Sequence, residues 1–248
     1  MKIRVKNDVF DVSVKKELHP DFWQKDDSLN FLIRDKLLKI AEDFINYLDI
    51  LDPDDVEDIR FTGSLANYNY TSYSDVDLHI IVDFEKLAGD DKFIESFFKA
   101  KKNVWNNTHD VMIKGYEVEL YVEDSGEKHV ASGLYSVLKD VWIRKPKRFT
   151  GKIDKKNVLK KVVDITERLK ELVGGGASEK EFRSLLKKIV DMRRGGLEKG
   201  GEYSVENLAF KLLRRTGTIK TIVDAFNNLY DKKLSLDEQK LLIDDEDY

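Results

Sequence analysis

The sequence predicts an α+β fold, a small mixed β-sheet flanked by helices and followed by an all-α C-terminal half. Three observations predict it. Apolar and polar residues alternate in short runs between residues 59 and 122, the period of a half-buried strand. Apolar residues recur at three- and four-residue steps before and between those runs, the period of a helix. Beyond Pro146 only helical spacing remains. These patterns divide the 248 residues into a mixed half, 1–148, and a helical half, 149–248.

Taken in order, Ile3 to Val14 alternates as a short hairpin would, turning at Asn7-Asp8. Ser28 is the expected N-cap of a helix carrying Leu29, Leu32, Ile33, Leu37, Ile40, Ala41, Phe44, Ile45 and Leu48, and Pro53-Asp54-Asp55 breaks it. Ile59 to Thr62 is expected as a strand leading into Gly63, and Asp75 to Asp83 as a second. A helix with Phe93, Ile94, Phe97, Phe98, Lys101, Val104 and Trp105 along one side follows, then a third strand over Val111 to Val122. Ser132 to Leu138 and Val141 to Ile143 read as a hairpin around Lys139-Asp140. In the second half, Leu159, Val162, Ile165, Thr166, Leu169 and Leu172 form one helix face, stopped by Gly174-Gly175-Gly176. Ser178 with Glu181 is a capping box for a helix expected to end at Gly195-Gly196. Shorter helices are expected around Val205–Arg214 and Ile219–Tyr230, and an acidic tail ends the chain.

Composition narrows the function. There are no cysteines, which excludes disulfides and thiolate metal sites. Charged residues make up 36% of the chain, and the net charge of −4 gives no global attraction to nucleic acid, so such binding needs a local patch. Met1 to Lys6 has no apolar signal segment, and no apolar run is long enough for a membrane helix. A cytoplasmic protein with no membrane partner is the expectation.

The chemistry concentrates in two stretches. Arg60-Phe61-Thr62-Gly63-Ser64-Leu65-Ala66-Asn67 is followed, twelve residues after Gly63, by Asp75-Val76-Asp77-Leu78-His79-Ile80. Strand alternation puts Asp75, Asp77 and His79 on one face and Val76, Leu78, Ile80 and Val82 on the other. Downstream, Glu117, Glu119, Tyr121 and Glu123 alternate with Tyr116, Val118, Leu120 and Val122. If the two strands adjoin, three or four carboxylates share a small area. Like charges that close call for a proton or a cation, and all-oxygen donors favour a hard ion, Mg²⁺ or Mn²⁺. Gly63 permits a sharp turn and close approach to a ligand, and Ser64 is expected to open a short helix whose N–H groups suit phosphate.

This arrangement resembles the signature of the DNA polymerase β-like nucleotidyltransferase superfamily: a Gly-Ser turn, an Asp-x-Asp pair starting a strand, and a third carboxylate on a neighbouring strand. The resemblance covers roughly residues 30 to 125. It implies a nucleotidyltransferase core fold and transfer of a nucleoside monophosphate from a nucleoside triphosphate, ATP among them, to an acceptor hydroxyl. It implies metal and catalytic roles for Asp75, Asp77 and Glu119, and nucleotide binding by Gly63 and Ser64. Glu119 stands where aspartate is commoner, and Glu117 competes for the same role. Glu117-Val118-Glu119-Leu120-Tyr121 resembles the third-carboxylate strand of nucleotide-second-messenger synthases, which favours Glu119. The helical half, with Gly196-Leu197-Glu198-Lys199-Gly200-Gly201-Glu202-Tyr203-Ser204-Val205-Glu206-Asn207-Leu208, looks like small nucleotidyltransferases carried by tailed bacteriophages.

The acceptor is not written in the sequence. Nine Lys/Arg against one acid between Arg144 and Lys161 favour RNA. Small-molecule or protein modification of a toxin type, or an inactive nucleotide-binding scaffold, are the alternatives. Arg193, Arg194, Lys211, Arg214 and Arg215 form a weaker cluster. Tyr121, Tyr135 and Trp142 are candidates for stacking on a base, with core packing the plainer role for Trp142. His79 is taken as structural, and His109 and His129 have no sequence partners that suggest a metal site. Gly195 to Gly201 lacks a P-loop ending and reads as a connector or lid. The cleft between the halves is the expected place for triphosphate and acceptor.

Overall fold

The computed structural model describes residues 9–87, 89–129 and 131–236. The chain forms two compact units, Met1–Thr150 and Gly151–Tyr248.

The first unit is built on β1 (Val56–Thr62), β2 (Val76–Val82), β3 (Met112–Ile113), β4 (Tyr116–Asp124), β5 (Leu134–Ser136) and β6 (Val141–Arg144), in the sheet order β3-β4-β2-β1-β5-β6. β1 pairs antiparallel with β2 and β5, and β2 pairs parallel with β4, so the sheet is mixed. Ile59 and Phe61 of β1, Val76, Leu78, Ile80 and Val82 of β2, and Val118 and Leu120 of β4 are buried in one core. Two helices share it: α1 (Phe31–Leu48) through Ile33, Leu37, Ile40, Ala41, Phe44, Ile45 and Leu48, and α2 (Asp91–Thr108) through Ile94 and Phe98. Each such side chain, taken from water, is worth about 1.5–3 kcal/mol. Asn106 of α2 both donates to and accepts from the Leu120 backbone, at 3.1 Å each, so β4 is covered where β3 has ended.

Several boundaries differ from the sequence expectation. Asn30, not Ser28, caps α1 by accepting the Leu32 N–H, while Ser28 closes a turn on Asp26. Leu32 is exposed, and Leu29 precedes the helix in a bridge with Trp23. The expected single strand over Val111 to Val122 is a hairpin, β3 to β4, turning at Lys114 and Gly115 with φ of +52° and +81°. Ser64 does not open a helix: Gly63 and Ser64 bend, and residues 65–68 form one turn. The hairpin expected over Ile3 to Val14 lies partly outside the described residues; Val9 and Phe10 form a turn, and residues 11–15 have no regular structure.

The second unit consists of α3 (Lys155–Gly174), α4 (Glu179–Gly200), α5 (Val205–Arg215) and α6 (Thr218–Leu234) among the described residues. α5 packs on α3 and α4, and α6 packs on α4. The Ser178–Glu181 capping box forms as expected. The expected connector at Gly195-Gly196 is helix instead: α4 runs through both glycines. Gly196 is buried, and a Cβ built there would sit 2.4 Å from the Glu206 Cβ and 2.9 Å from the Ser204 Oγ. The absent side chain lets the two helices approach closely. Among the described residues, no helix is long and apolar enough to cross a membrane.

Candidate functional site

The parallel register sets Asp77 directly opposite Glu119. Asp75 lies one residue before β2, on the same side by alternation. One carboxylate oxygen from each of Asp75, Asp77 and Glu119 lies within 4.8 Å of the others, and all three residues are half-buried. The three acids singled out in the sequence therefore converge. Glu117 does not join them as a ligand. It is exposed opposite Met112, yet its carboxyl is held above the usual range by burial first and then by Glu119, Asp110 and Asp75. The smaller, electrostatic part of that upward push comes from the neighbouring acids.

Gly63 borders the cluster. Its φ is +78°, and a Cβ there would fall 1.7 Å from the Asp77 Oδ2. Only glycine permits both the turn and this approach. The turn is anchored from several sides. Trp23 Nε1 donates to the Leu65 carbonyl at 2.7 Å, Asn67 Nδ2 donates to Ser132 Oγ at 2.7 Å, and Thr62 Oγ1 donates to the Gly133 carbonyl at 2.8 Å. Gly133 itself passes so near Ala66 that a Cβ would lie 1.9 Å from that carbonyl oxygen. The Ser64 hydroxyl shares a 2.7 Å hydrogen bond with Ser74, whose oxygen also accepts the Thr71 N–H. Ser74, Ser132 and Gly133 carry no pattern that sequence reasoning detects.

Tyr121 was considered as a base-stacking residue and has another place. Its hydroxyl donates to Glu119 Oε2 at 2.5 Å, and its ring stacks on His79 at 4.6 Å with the Lys102 ammonium 4.1 Å from its centroid. Burial, then Glu119, pushes the phenol far above its ordinary pKa, so it remains a donor. Tyr135 is buried with its hydroxyl on Asp140, and Trp142 stacks on Trp23 at 4.4 Å, so both serve the core rather than an exposed base.

Further along the same sheet face, His79 meets Glu123 and His129. This corrects the expectation that His129 has no metal-site partners. Burial holds His129 below the ordinary histidine pKa. His109, in contrast, stacks on Trp105 at an exposed helix end.

The basic stretch is partly committed to structure. Arg144 donates to the His129 and Ala131 carbonyls, Lys145 pairs with Asp27 at 2.7 Å, and Arg148 donates to the Lys16 carbonyl. Lys161 pairs with Glu206 at 3.2 Å. Lys147, Lys152, Lys155, Lys156 and Lys160 are exposed.

The donor set suits a divalent ion. Three carboxylates face one another beside a glycine whose missing Cβ leaves room for Asp77, and among the described residues this group consists of carboxylate ligands. Comparison with known proteins agrees with the class these features define. The chain matches the nucleotidyltransferase domain model over residues 41–170, more than half its length, and belongs to that family. No curated protein matched significantly. Among solved structures, the STING-associated CdnE c-di-GMP synthase from Capnocytophaga granulosa is 13% identical, with 83% of this chain and 84% of that chain covered and a TM-score of 0.25. The Elizabethkingia meningoseptica CdnE cyclic dinucleotide synthase with GTP and Apcpp is 15% identical, with 77% and 78% covered and a TM-score of 0.25. Scores this low tie neither structure to the reaction of this chain.

Proposed function

We infer that the protein transfers a nucleoside monophosphate from a nucleoside triphosphate to an acceptor hydroxyl, with release of pyrophosphate. The observation that carries this reading is the convergence of Asp75, Asp77 and Glu119 within 4.8 Å beside Gly63, in a nucleotidyltransferase-family chain. Asp75, Asp77 and Glu119 would hold Mg²⁺ or Mn²⁺. When bound, such ions neutralise the triphosphate and stabilise the attacking and leaving oxygens of an in-line displacement. The chain's own residues do the remaining work. Gly63 lets the backbone of the 63–68 turn lie against the phosphates, and Ser64, steadied by Ser74, offers its hydroxyl there. Glu119 takes the acceptor proton, and Tyr121 fixes which of its oxygens is free by occupying Oε2.

The acceptor we favour is RNA, on the exposed lysines of the 144–161 stretch. The test is direct. The protein is incubated with each labelled triphosphate and Mg²⁺ or Mn²⁺, with and without total RNA. Label is expected in RNA; label in protein or in a small product would assign a different acceptor and overturn the RNA choice. Asp75→Ala with Asp77→Ala should abolish transfer while the melting temperature shows a folded chain. Transfer that persists in that variant sinks the assignment, and absence of both transfer and triphosphate binding in the native protein favours an inert scaffold.

A further inference from the structure

We propose that His79, Glu123 and His129 form a second metal centre, separate from the carboxylate cluster and selective for a transition-metal ion of the zinc class. His79 lies on β2 and Glu123 on β4, on the sheet face that also carries Asp77 and Glu119. His129 lies on the loop after β4. A ligand atom from each of the three falls within 4.8 Å of the others.

The detail that asks for a ligand is His79. The residue is 8% exposed, and its buried Nδ1 faces the Glu123 carboxylate. Glu123 Oε1 lies 2.9 Å from that nitrogen, an ion-pair contact of the kind a shared metal ion would replace. A shared cation would satisfy nitrogen and carboxylate together. On the other side, His129 Nε2 is 3.6 Å from Glu123 Oε2. Tetrahedral zinc, with bonds of about 2.0–2.1 Å, separates its donors by about 3.3 Å, so the observed spacings need only small adjustments. Two imidazoles and one carboxylate leave a fourth position open, and imidazole selects zinc-class ions over the hard ions that all-carboxylate sites take. Of the cations nearby, Arg60 is paired with Asp58 at 3.2 Å and Arg144 donates to the His129 and Ala131 carbonyls.

Loading has one local cost. The Ala131 N–H donates to His129 Nδ1 at 3.2 Å, which leaves the neutral ring's proton on Nε2. A metal on Nε2 moves that proton to Nδ1 and releases the Ala131 bond. The occupied centre ties the loop to β2 and β4. It also fixes the His79 ring on which Tyr121 stacks, and Tyr121 in turn holds Glu119.

The test measures binding, not turnover. Full-length protein stripped with chelator is loaded with Zn²⁺ in excess Mg²⁺, desalted, and its zinc counted; Co²⁺ loading reports nitrogen ligation through its visible spectrum. One zinc per chain is expected, with a Co²⁺ spectrum showing tetrahedral or five-coordinate nitrogen and oxygen donors. His129→Ala and Glu123→Gln should each weaken zinc by more than the roughly 10–100-fold that losing an outer-shell partner costs. Asp75→Asn with Asp77→Asn should leave zinc bound, which separates this centre from the proposed catalytic one. His129→Gln, closer in size, serves if the alanine variant does not fold. No retained zinc, or zinc lost with the aspartates and kept without His129, overturns the proposal.

Discussion

At the scale of single residues, two positions control the candidate site without being ligands. Gly63→Ala places a methyl group 1.7 Å from Asp77 Oδ2 and forces alanine into φ +78°. The strain should lower stability by about 1–3 kcal/mol, read by denaturant unfolding, and transfer should fall further than stability explains because Asp77 must move. Tyr121→Phe keeps the rings on His79 and Lys102 but removes the donor to Glu119. We expect kcat to drop by up to about 100-fold, with KM for the triphosphate little changed and the fold intact by circular dichroism. The aspartates and Glu119 are legible in the sequence because alternation gives each strand one acidic face and the family resemblance makes the two strands neighbours, as the parallel pairing of β2 and β4 shows them to be. Alternation also puts Tyr121 on the face of Glu119, but the bond from its hydroxyl to Oε2 depends on a side-chain rotamer that spacing does not specify. His129 is hidden for another reason: no periodicity links a loop residue to β2.

At the scale of elements, α4 offers a paired test. Gly195 and Gly196 are adjacent in one helix, yet a Cβ on Gly195 meets nothing within 4 Å, whereas one on Gly196 strikes α5. Gly195→Ala should stabilise by about 1 kcal/mol through helix propensity. Gly196→Ala gains the same propensity but should be net destabilising by about 1–3 kcal/mol. Thermal unfolding of the two variants should move in opposite directions. Sequence reading took both glycines as a helix end because propensity is local, and it had no means of weighing a neighbouring helix. For the same reason it placed the cap of α1 at Ser28, although the Asn30 side chain accepts the Leu32 N–H. The strands were more legible. Val76, Leu78, Ile80 and Val82 fall on the buried face that alternation assigns them. The split of β3 from β4 was missed at Lys114-Gly115, where two positive φ values reverse the chain inside an apparently continuous run.

At the scale of the whole molecule, charge and titration govern stability. The chain is acidic, with a pI near 5.7, and its acids crowd one face of the sheet. Millimolar Mn²⁺ should raise the melting temperature, because a ligand bound only by the native state stabilises it. The rise should vanish in Asp75→Asn with Asp77→Asn. Acid should act through His19, whose ring is buried against Phe22, Tyr70 and Tyr116. Burial depresses its pKa below the ordinary 6.5, against a smaller upward pull from Asp21. In the window between the folded value and 6.5 the unfolded chain binds the extra proton, so stability falls as pH drops through it. Replacing His19 with Gln should flatten the slope of unfolding free energy against pH as pH falls through and below 6.5.

The pairing of Asp77 with Glu119 joins segments separated by all of α2 and the β3–β4 turn. Closing so long a stretch of chain is an entropically expensive, late event. A nascent polypeptide still short of Glu119 thus has its glycine bend and both aspartates but not the third carboxylate. The three-carboxylate cluster is complete only once β4 has docked beside β2.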